Sequence, residues 1–433
     1  MNIVDIIVKT KRKEKLSREE INWVIENYVN EKIPDYQISA WLMAICFNSL
    51  SEDETFYLTE AMRDSGDKLD LSSVDGVTVD KHSTGGIGDK TSLVIAPVCA
   101  SCGLHVPKMS GRGLGFTGGT IDKLESIKGF KVNVKFDDYI NMINKNGAAI
   151  IAQSGHLVPA DKKLYALRDV TGTVDSISLI CSSIMSKKLA TGADCILLDV
   201  KTGNGAFMKT ADDAKKLANL MVKVGKSCGK KCRAVITDMN EPLGDAVGNS
   251  LEVIEACEIL SGRKKGRLYD LCMILAANML ELGGMGDYDS CYKMAVEKIE
   301  NGEAIKKFSE MIEAQGGNKN AAYDYSEFAQ PSYKLEVFAA SNGYISEINS
   351  EEIGMAALMT GAGRKSKEDV IDSTAGIILN KHIGDYAENG ELLMTLYSSS
   401  VEDMTQASQR AYEAVTISDK KEEIKPILIE TVI

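Results

Sequence analysis

The 433-residue chain predicts an α/β protein. It has a small all-helical part, a large mixed α/β part with a parallel-rich sheet, and a β-rich, barrel-sandwich-like C-terminal part. Three observations predict this. Residues 1–66 place apolar side chains only at helical spacing. From Val77 onward short β-branched runs alternate with helical patterns, which implies parallel strands joined by crossover helices. After residue 330 come short β-rich runs such as YKLEVFAA and GYISEI. The expected segments are 1–66 (helical), 67–159 (α/β), 160–192 (helical again), 193–330 (α/β) and 331–433 (β-rich).

In the first segment, Ser17 with Glu20 forms a capping box ahead of Ile21, Val24, Ile25 and Tyr28. Pro34 suits a first helical turn, and Ala40 to Phe47 is apolar on every side. Such a helix is buried in a core or in a subunit interface. Ser51 with Glu54 caps a third helix ending near Gly66. Strands are expected at Val77–Val79, Val106–Met109, Ala148–Ala152, Cys195–Val200 and Arg233–Thr237. Helical patterns occupy Ala160 to Ala190, and others continue to about Gln315.

Net charge of −12 argues against a nucleic-acid or anionic-membrane partner, so any anion site must be a local basic island. No apolar run reaches the roughly 18–20 residues of a membrane span, and no signal-peptide core stands at the N-terminus. A cytoplasmic protein is expected. The ten cysteines include Cys99 and Cys102 in an apolar helical run, which reads as buried thiols. The four histidines show no zinc-ligand spacing to them.

Function concentrates between Val79 and Glu125. Two glycine-rich loops, DKHSTGGIGDKTS and SGRGLGFTGGTIDKLE, each follow a β-branched run and lead into a helix. Glycine admits close backbone approach, and helix N-termini attract anions. Lys81, Ser83, Ser92, Ser110 and Thr120 add donors of the kind phosphate needs. GGIGDKT fails the nucleotide P-loop pattern by one residue, because Asp89 intervenes between Gly88 and Lys90. Side by side, the loops read as a phosphate cradle.

KHSTGG followed by SGRGL-x-x-TGGT-x-D-x-LE resembles the thymidine and pyrimidine-nucleoside phosphorylases. The likeness continues through QSGHLVPADKKLYALRDVTGTVDS, SSIMSKKLA and LLDVKTGNGAFMK. It implies phosphate contacts from Lys81, His82, Ser83, Ser92, Lys108, Met109, Ser110 and Thr120. It assigns the pyrimidine to His82, Arg168, Ser183 and Lys187, with His82, Arg168 and Lys187 nearest the chemistry. His82 either hydrogen-bonds a base carbonyl or donates a proton to it. Ser183 and Lys187 are four apart and so share a helix face. The implied reaction is phosphorolysis of a nucleoside to free base and pentose-1-phosphate, without an organic cofactor, in a homodimer joined through the helical part. Lys108 stands where deoxy-restricted relatives tend to carry methionine, which implies acceptance of uridine as well as thymidine.

The resemblance also implies K⁺ or Ca²⁺ among Gly88, Leu243, Ala246 and Glu255. Position 90, often threonine in that pattern, is Lys90. Its ammonium either replaces the cation and pairs with Glu255 or points away. Phe116 stands where histidine is common. Besides a phosphorylase restricted to thymidine, two remoter functions stay open. One is a phosphoribosyltransferase of the anthranilate type. The other is a carrier module, since LNKHIGDYAENGELLMTLYS resembles biotinyl and lipoyl domains, although no swinging lysine is evident.

Overall fold

The computed structural model describes every residue except Leu114, Phe116, Thr117, Lys365, Lys367 and Glu368. Phe116 and its histidine comparison therefore lie outside the described residues.

Four helices open the chain: α1 (Ile3–Lys11), α2 (Arg18–Val29), α3 (Asp35–Asn48) and α4 (Glu52–Arg63). Both capping boxes form, with Ser17 heading α2 and Ser51 heading α4. Trp41 and Ile45 of α3 pack inward with Ile21, Val24 and Ile25. The same helix leaves Tyr36 and Phe47 outside, at 74% and 83% exposure.

The α/β part begins with β1 (Val79–Ser83), α5 (Thr91–Ser101), β2 (Val106–Ser110), α6 (Thr120–Glu125), α7 (Phe136–Asn146) and β3 (Ala148–Ala152). Two helices, α8 (Pro159–Asp169) and α9 (Ile177–Ala190), return to the helical layer. There Thr59 of α4 donates to Ser182 of α9 at 3.2 Å. The α/β pattern resumes with β4 (Cys195–Thr202), α10 (Ala211–Ser227), β5 (Lys231–Asp238), β6 (Ala246–Val247) and α11 (Asn249–Leu260). It closes with α12 (Arg267–Leu282), α13 (Tyr288–Glu300) and α14 (Glu303–Ala314).

Strands β1, β4 and β5 pair in parallel, as do β2 and β3, with a single bridge from Thr78 to His105 joining the two groups. Both glycine-rich loops therefore leave the C-terminal ends of neighbouring strands. That is where ligands bind in open α/β sheets. The first strand starts at Val79 rather than Val77 and runs through Ser83, because Lys81, His82 and Ser83 pair with Leu197, Leu198 and Asp199.

The C-terminal part contains β7 (Tyr333–Phe338), β8 (Gly343–Ile348), α15 (Ser350–Ala357), β9 (Gly376–Leu379), β10 (Tyr386–Ala387), β11 (Leu392–Ser398), α16 (Met404–Glu413) and β12 (Val415–Ser418). Two antiparallel sheets, β6-β9-β11-β7 and β10-β8-β12, face each other over a core that includes Ile345, Ile377 and Leu396. The final strand, β13 (Leu428–Val432), leaves this part and pairs antiparallel with β5. With β6 contributed by the α/β part, the two are joined by strands in both directions. His382 adds a polar link, its ring nitrogens 2.8 Å from Asp245 and 3.3 Å from Glu241. Burial works against the imidazolium, but these two carboxylates outweigh it and hold the pKa up at about 10. Among the described residues no helix is long and apolar enough to cross a membrane.

Candidate active site

Successive side chains on a strand point to opposite faces, and β1 uses this to separate two jobs. Asp80 and His82 face α9. Lys188 donates to Asp80 at 2.6 Å, and Lys108 of β2 lies 3.9 Å from its other oxygen. Lys81 faces the opposite way, toward α5 and β4, where it donates to Thr91 at 2.7 Å and pairs with Asp199 at 3.0 Å.

Above these strands lies a cleft of about 370 Å³. His82, Ser83, Ser92, Lys108, Met109, Ser110 and Thr120, expected as phosphate contacts, all line it. Lys81 does not: it is 1% exposed and sits beneath the floor, paired with Asp199. Lys108 donates to the Lys81 carbonyl at 2.6 Å. Burial, together with Lys188 and Lys81, pushes its pKa down to about 7 despite Asp80 and Asp89. An anion in the cleft would relieve that crowding and hold the proton on Lys108.

The second loop is shaped by Asp122, which accepts from Gly113 N–H at 2.7 Å and pairs with Arg112 at 3.3 Å. Arg364 of the C-terminal part also pairs with Asp122, at 2.9 Å. Gly119 is required where the loop folds back, since a Cβ there would lie 2.1 Å from Gly113 N. Lys123 ties the two loops together, donating to the Asp89 carbonyl at 2.7 Å while pairing with Glu252 at 2.7 Å.

A second cavity, of about 210 Å³, opens beside the first. Arg168, Ser183 and Lys187 line it, and it shares His82, Ser83, Thr84, Tyr165, Lys187 and Phe207 with the larger cleft. The two are halves of one site. Helical spacing aligns Ser183 and Lys187, whose polar atoms are 3.1 Å apart. Lys187 is also held by Asp161 at 2.5 Å. Arg168, in the last turn of α8, gives three N–H groups to the carbonyls of Thr173, Val174 and Leu179. This uses three of a guanidinium's five donors. The half-site is thus a fixed cationic wall with aromatic sides from Tyr165 and Phe207.

His82 stands where the halves meet. Burial, reinforced by Lys188, Lys108, Lys187 and Lys81, holds its pKa well below the ordinary imidazole value. This environment favours the neutral imidazole over the imidazolium.

Several members of the site carry no motif of their own. Asp161, Tyr165 and Arg168 lie on one face of α8 at i, i+4 and i+7, a spacing that reveals them once Arg168 is suspected. Phe207 is a lone aromatic in a glycine-rich loop, 52% exposed. Lys188 was hidden beside Lys187, and Arg364 had no local signal at all.

Matches to known proteins follow the same division. Residues 4–66 match the glycosyl transferase family, helical bundle domain, and residues 75–305 match its a/b domain. Fold and site thus define a glycosyl transferase with a helical layer over an α/β part whose glycine-rich loops line the cleft. Residues 344–418 match the pyrimidine nucleoside phosphorylase C-terminal domain, so the carrier alternative is not favoured. The chain is 49% identical to the pyrimidine-nucleoside phosphorylases of Staphylococcus haemolyticus and Bacillus subtilis, over 100% of each chain. It is also 49% identical to that of Geobacillus stearothermophilus, over 96% of both chains. Anthranilate phosphoribosyltransferase from Thermus thermophilus superposes with a TM-score of 0.59 at 18% identity, covering 72% of this chain and 99% of that one. This last likeness is one of fold. The chain belongs to the pyrimidine-nucleoside phosphorylase family.

Proposed function

We propose that the chain catalyses reversible phosphorolysis of pyrimidine nucleosides, giving free base and α-(deoxy)ribose-1-phosphate. One observation carries the reading: an anion-type half lined by Ser92, Ser110 and Thr120 and a base-type half lined by Arg168, Ser183 and Lys187 adjoin at His82. Phosphate held by the glycine-rich loops attacks the anomeric carbon from the face opposite the base. As the new C–O bond forms, the C–N bond breaks with inversion and its electron pair leaves on the pyrimidine, which becomes the free base by taking a proton from solvent. Lys187, Arg168 and Ser183 stabilise that charge at the carbonyl oxygens, and neutral His82 donates a further hydrogen bond. Lys81 adds positive potential from below. Fixed donors aimed at developing charge act without reorganisation, and pre-positioning two reactants removes much of the entropic barrier.

Release of uracil and thymine is expected to require inorganic phosphate or arsenate. Robust cleavage in phosphate-free buffer would make the protein a hydrolase and end this reading. Uridine, thymidine and deoxyuridine are all expected substrates. Lys108 can organise the ribose 2′-hydroxyl, whereas methionine would leave that hydroxyl buried and unpaired at a cost of about 1–3 kcal/mol. Lys108→Met should therefore lower kcat/KM for uridine roughly tenfold more than for thymidine. An equal loss on all three substrates would remove Lys108 from sugar recognition.

The same reading includes a homodimer through the helical part and a cytoplasmic location. The exposed Tyr36 and Phe47 on α3 support the first. The ten free thiols support the second, since reducing compartments keep cysteines unpaired. Phe47→Lys should shift the sedimenting species from dimer to monomer, and a monomeric wild type would refute the dimer.

A further inference from the structure

The first glycine-rich loop ends on a lysine that turns away from the cleft. Lys90 is 1% exposed, and its ammonium donates to the carbonyls of Leu243 and Ala246, each at 2.8 Å, and to Glu255 at 2.5 Å. An ammonium has three donors and no acceptor, so these three oxygens satisfy it. Glu255 is equally occupied. Its Oε2 also accepts from Ala246 N–H at 2.9 Å, and its Oε1 accepts from Asp245 N–H at 2.7 Å and from Lys264 at 2.6 Å. Burial alone would raise the Glu255 pKa, but Lys90 and Lys264 outweigh it and hold the group ionised.

The oxygens that Lys90 binds belong to Leu243, Ala246 and Glu255, three of the four residues expected around K⁺ or Ca²⁺. The fourth, Gly88, is packed against the same segment. Its φ is +74°, and a Cβ there would lie 2.7 Å from the Leu243 carbonyl oxygen. The residues present do not fit a metal ion, because the ammonium holds its oxygens and an added cation would meet a like charge at contact.

We infer that Lys90 is the cation of this site, tethered to the chain in place of a dissociable ion. The tether matters because of where it is anchored. Lys90 stands between Asp89, which lines the cleft, and Thr91, which accepts from Lys81. Leu243 N–H also donates to the Ile87 carbonyl at 2.9 Å, so loop and segment are clasped twice. From the same carboxylate, Lys264 continues to Asp245 at 2.5 Å and Asp245 to His382. Lys90 thereby couples the phosphate loop to α11 and to the C-terminal part at any cation concentration.

Loop stability and cation occupancy report on the Lys90 tether without substrate. The melting temperature of the wild type should be the same, within about 1 °C, in KCl, CaCl₂ and tetramethylammonium chloride at matched ionic strength. Crystals of wild type soaked in Rb⁺ should show no anomalous peak between Leu243, Ala246 and Glu255. Lys90→Thr opens a space lined by those oxygens. It should melt several degrees lower in tetramethylammonium, recover in K⁺ or ammonium, and show the Rb⁺ peak. Lys90→Met fills the space without a charge and should not be rescued. A Rb⁺ peak in wild type, or its selective stabilisation by K⁺ or Ca²⁺, overturns the inference. So does a Lys90→Thr protein that is indifferent to K⁺ and ammonium, or one that fails to fold in their presence.

Discussion

Lys187→Ala is expected to lower kcat for thymidine by about 10²–10³, with a smaller change in KM, the loss typical of removing one donor from a developing anion. The ammonium is held by Asp161 at 2.5 Å and Ser183 at 3.1 Å, so in the proposed role it would meet the base without having to be ordered first. Its interaction with a neutral pyrimidine carbonyl is modest. It strengthens as the glycosidic pair moves onto the ring, which is why the effect belongs to turnover rather than to substrate affinity. A leaving group that already carries charge well should need the lysine less. The loss should therefore be several-fold smaller with a 5-fluoropyrimidine nucleoside than with thymidine. Raised KM at unchanged kcat would reduce Lys187 to a ground-state clamp, and equal losses on both substrates would separate it from the leaving group. Arg168 is a poorer probe of the same wall, because its guanidinium also holds the carbonyls of Thr173, Val174 and Leu179.

The legible part of this site was the part written in local patterns. Glycine-rich loops after β-branched runs announced the walls of the cleft, and i, i+4 spacing placed Ser183 beside Lys187 on α9. Capping pairs announced α2 and α4 for the same reason: their physics is contained within four residues. What stayed hidden depends on register between distant strands. That Lys81 turns under the floor while Asp80 turns toward Lys188 follows from β1 lying beside β4, with Lys81 opposite Leu197. No stretch of either strand encodes that offset by itself. The return of β13 to β5 and the reach of Arg364 to Asp122 are likewise long-range. The orientation of Lys90 was undecidable from its neighbours, since its three oxygens come from a segment more than 150 residues away.

Asp199→Asn is expected to destabilise the fold by about 3–5 kcal/mol, the range found when one partner of a buried ion pair is removed. Asp199 is fully buried on β4, with Lys81 at 3.0 Å and Lys201 at 2.7 Å from one oxygen, while Thr237 donates to the other at 2.7 Å. Asparagine keeps the shape and the threonine bond but leaves two buried ammonium groups without their common carboxylate. Burial by itself would lower the Lys81 pKa, and it is Asp89 and Asp199 together that hold it above its ordinary value. Asp89, 4.0 Å away, is the partner that remains to Lys81, and it is not in hydrogen-bond contact. In a chain of this length such a loss corresponds to a fall of only roughly 3–6 °C in melting temperature, so a denaturant titration is the better measurement. Lys81→Met in the same background should recover part of the loss, because one stranded charge is then gone. An unchanged denaturation midpoint in Asp199→Asn would mean that the lysines beneath the cleft are not charged, and the positive floor assigned to the phosphate half would go with it.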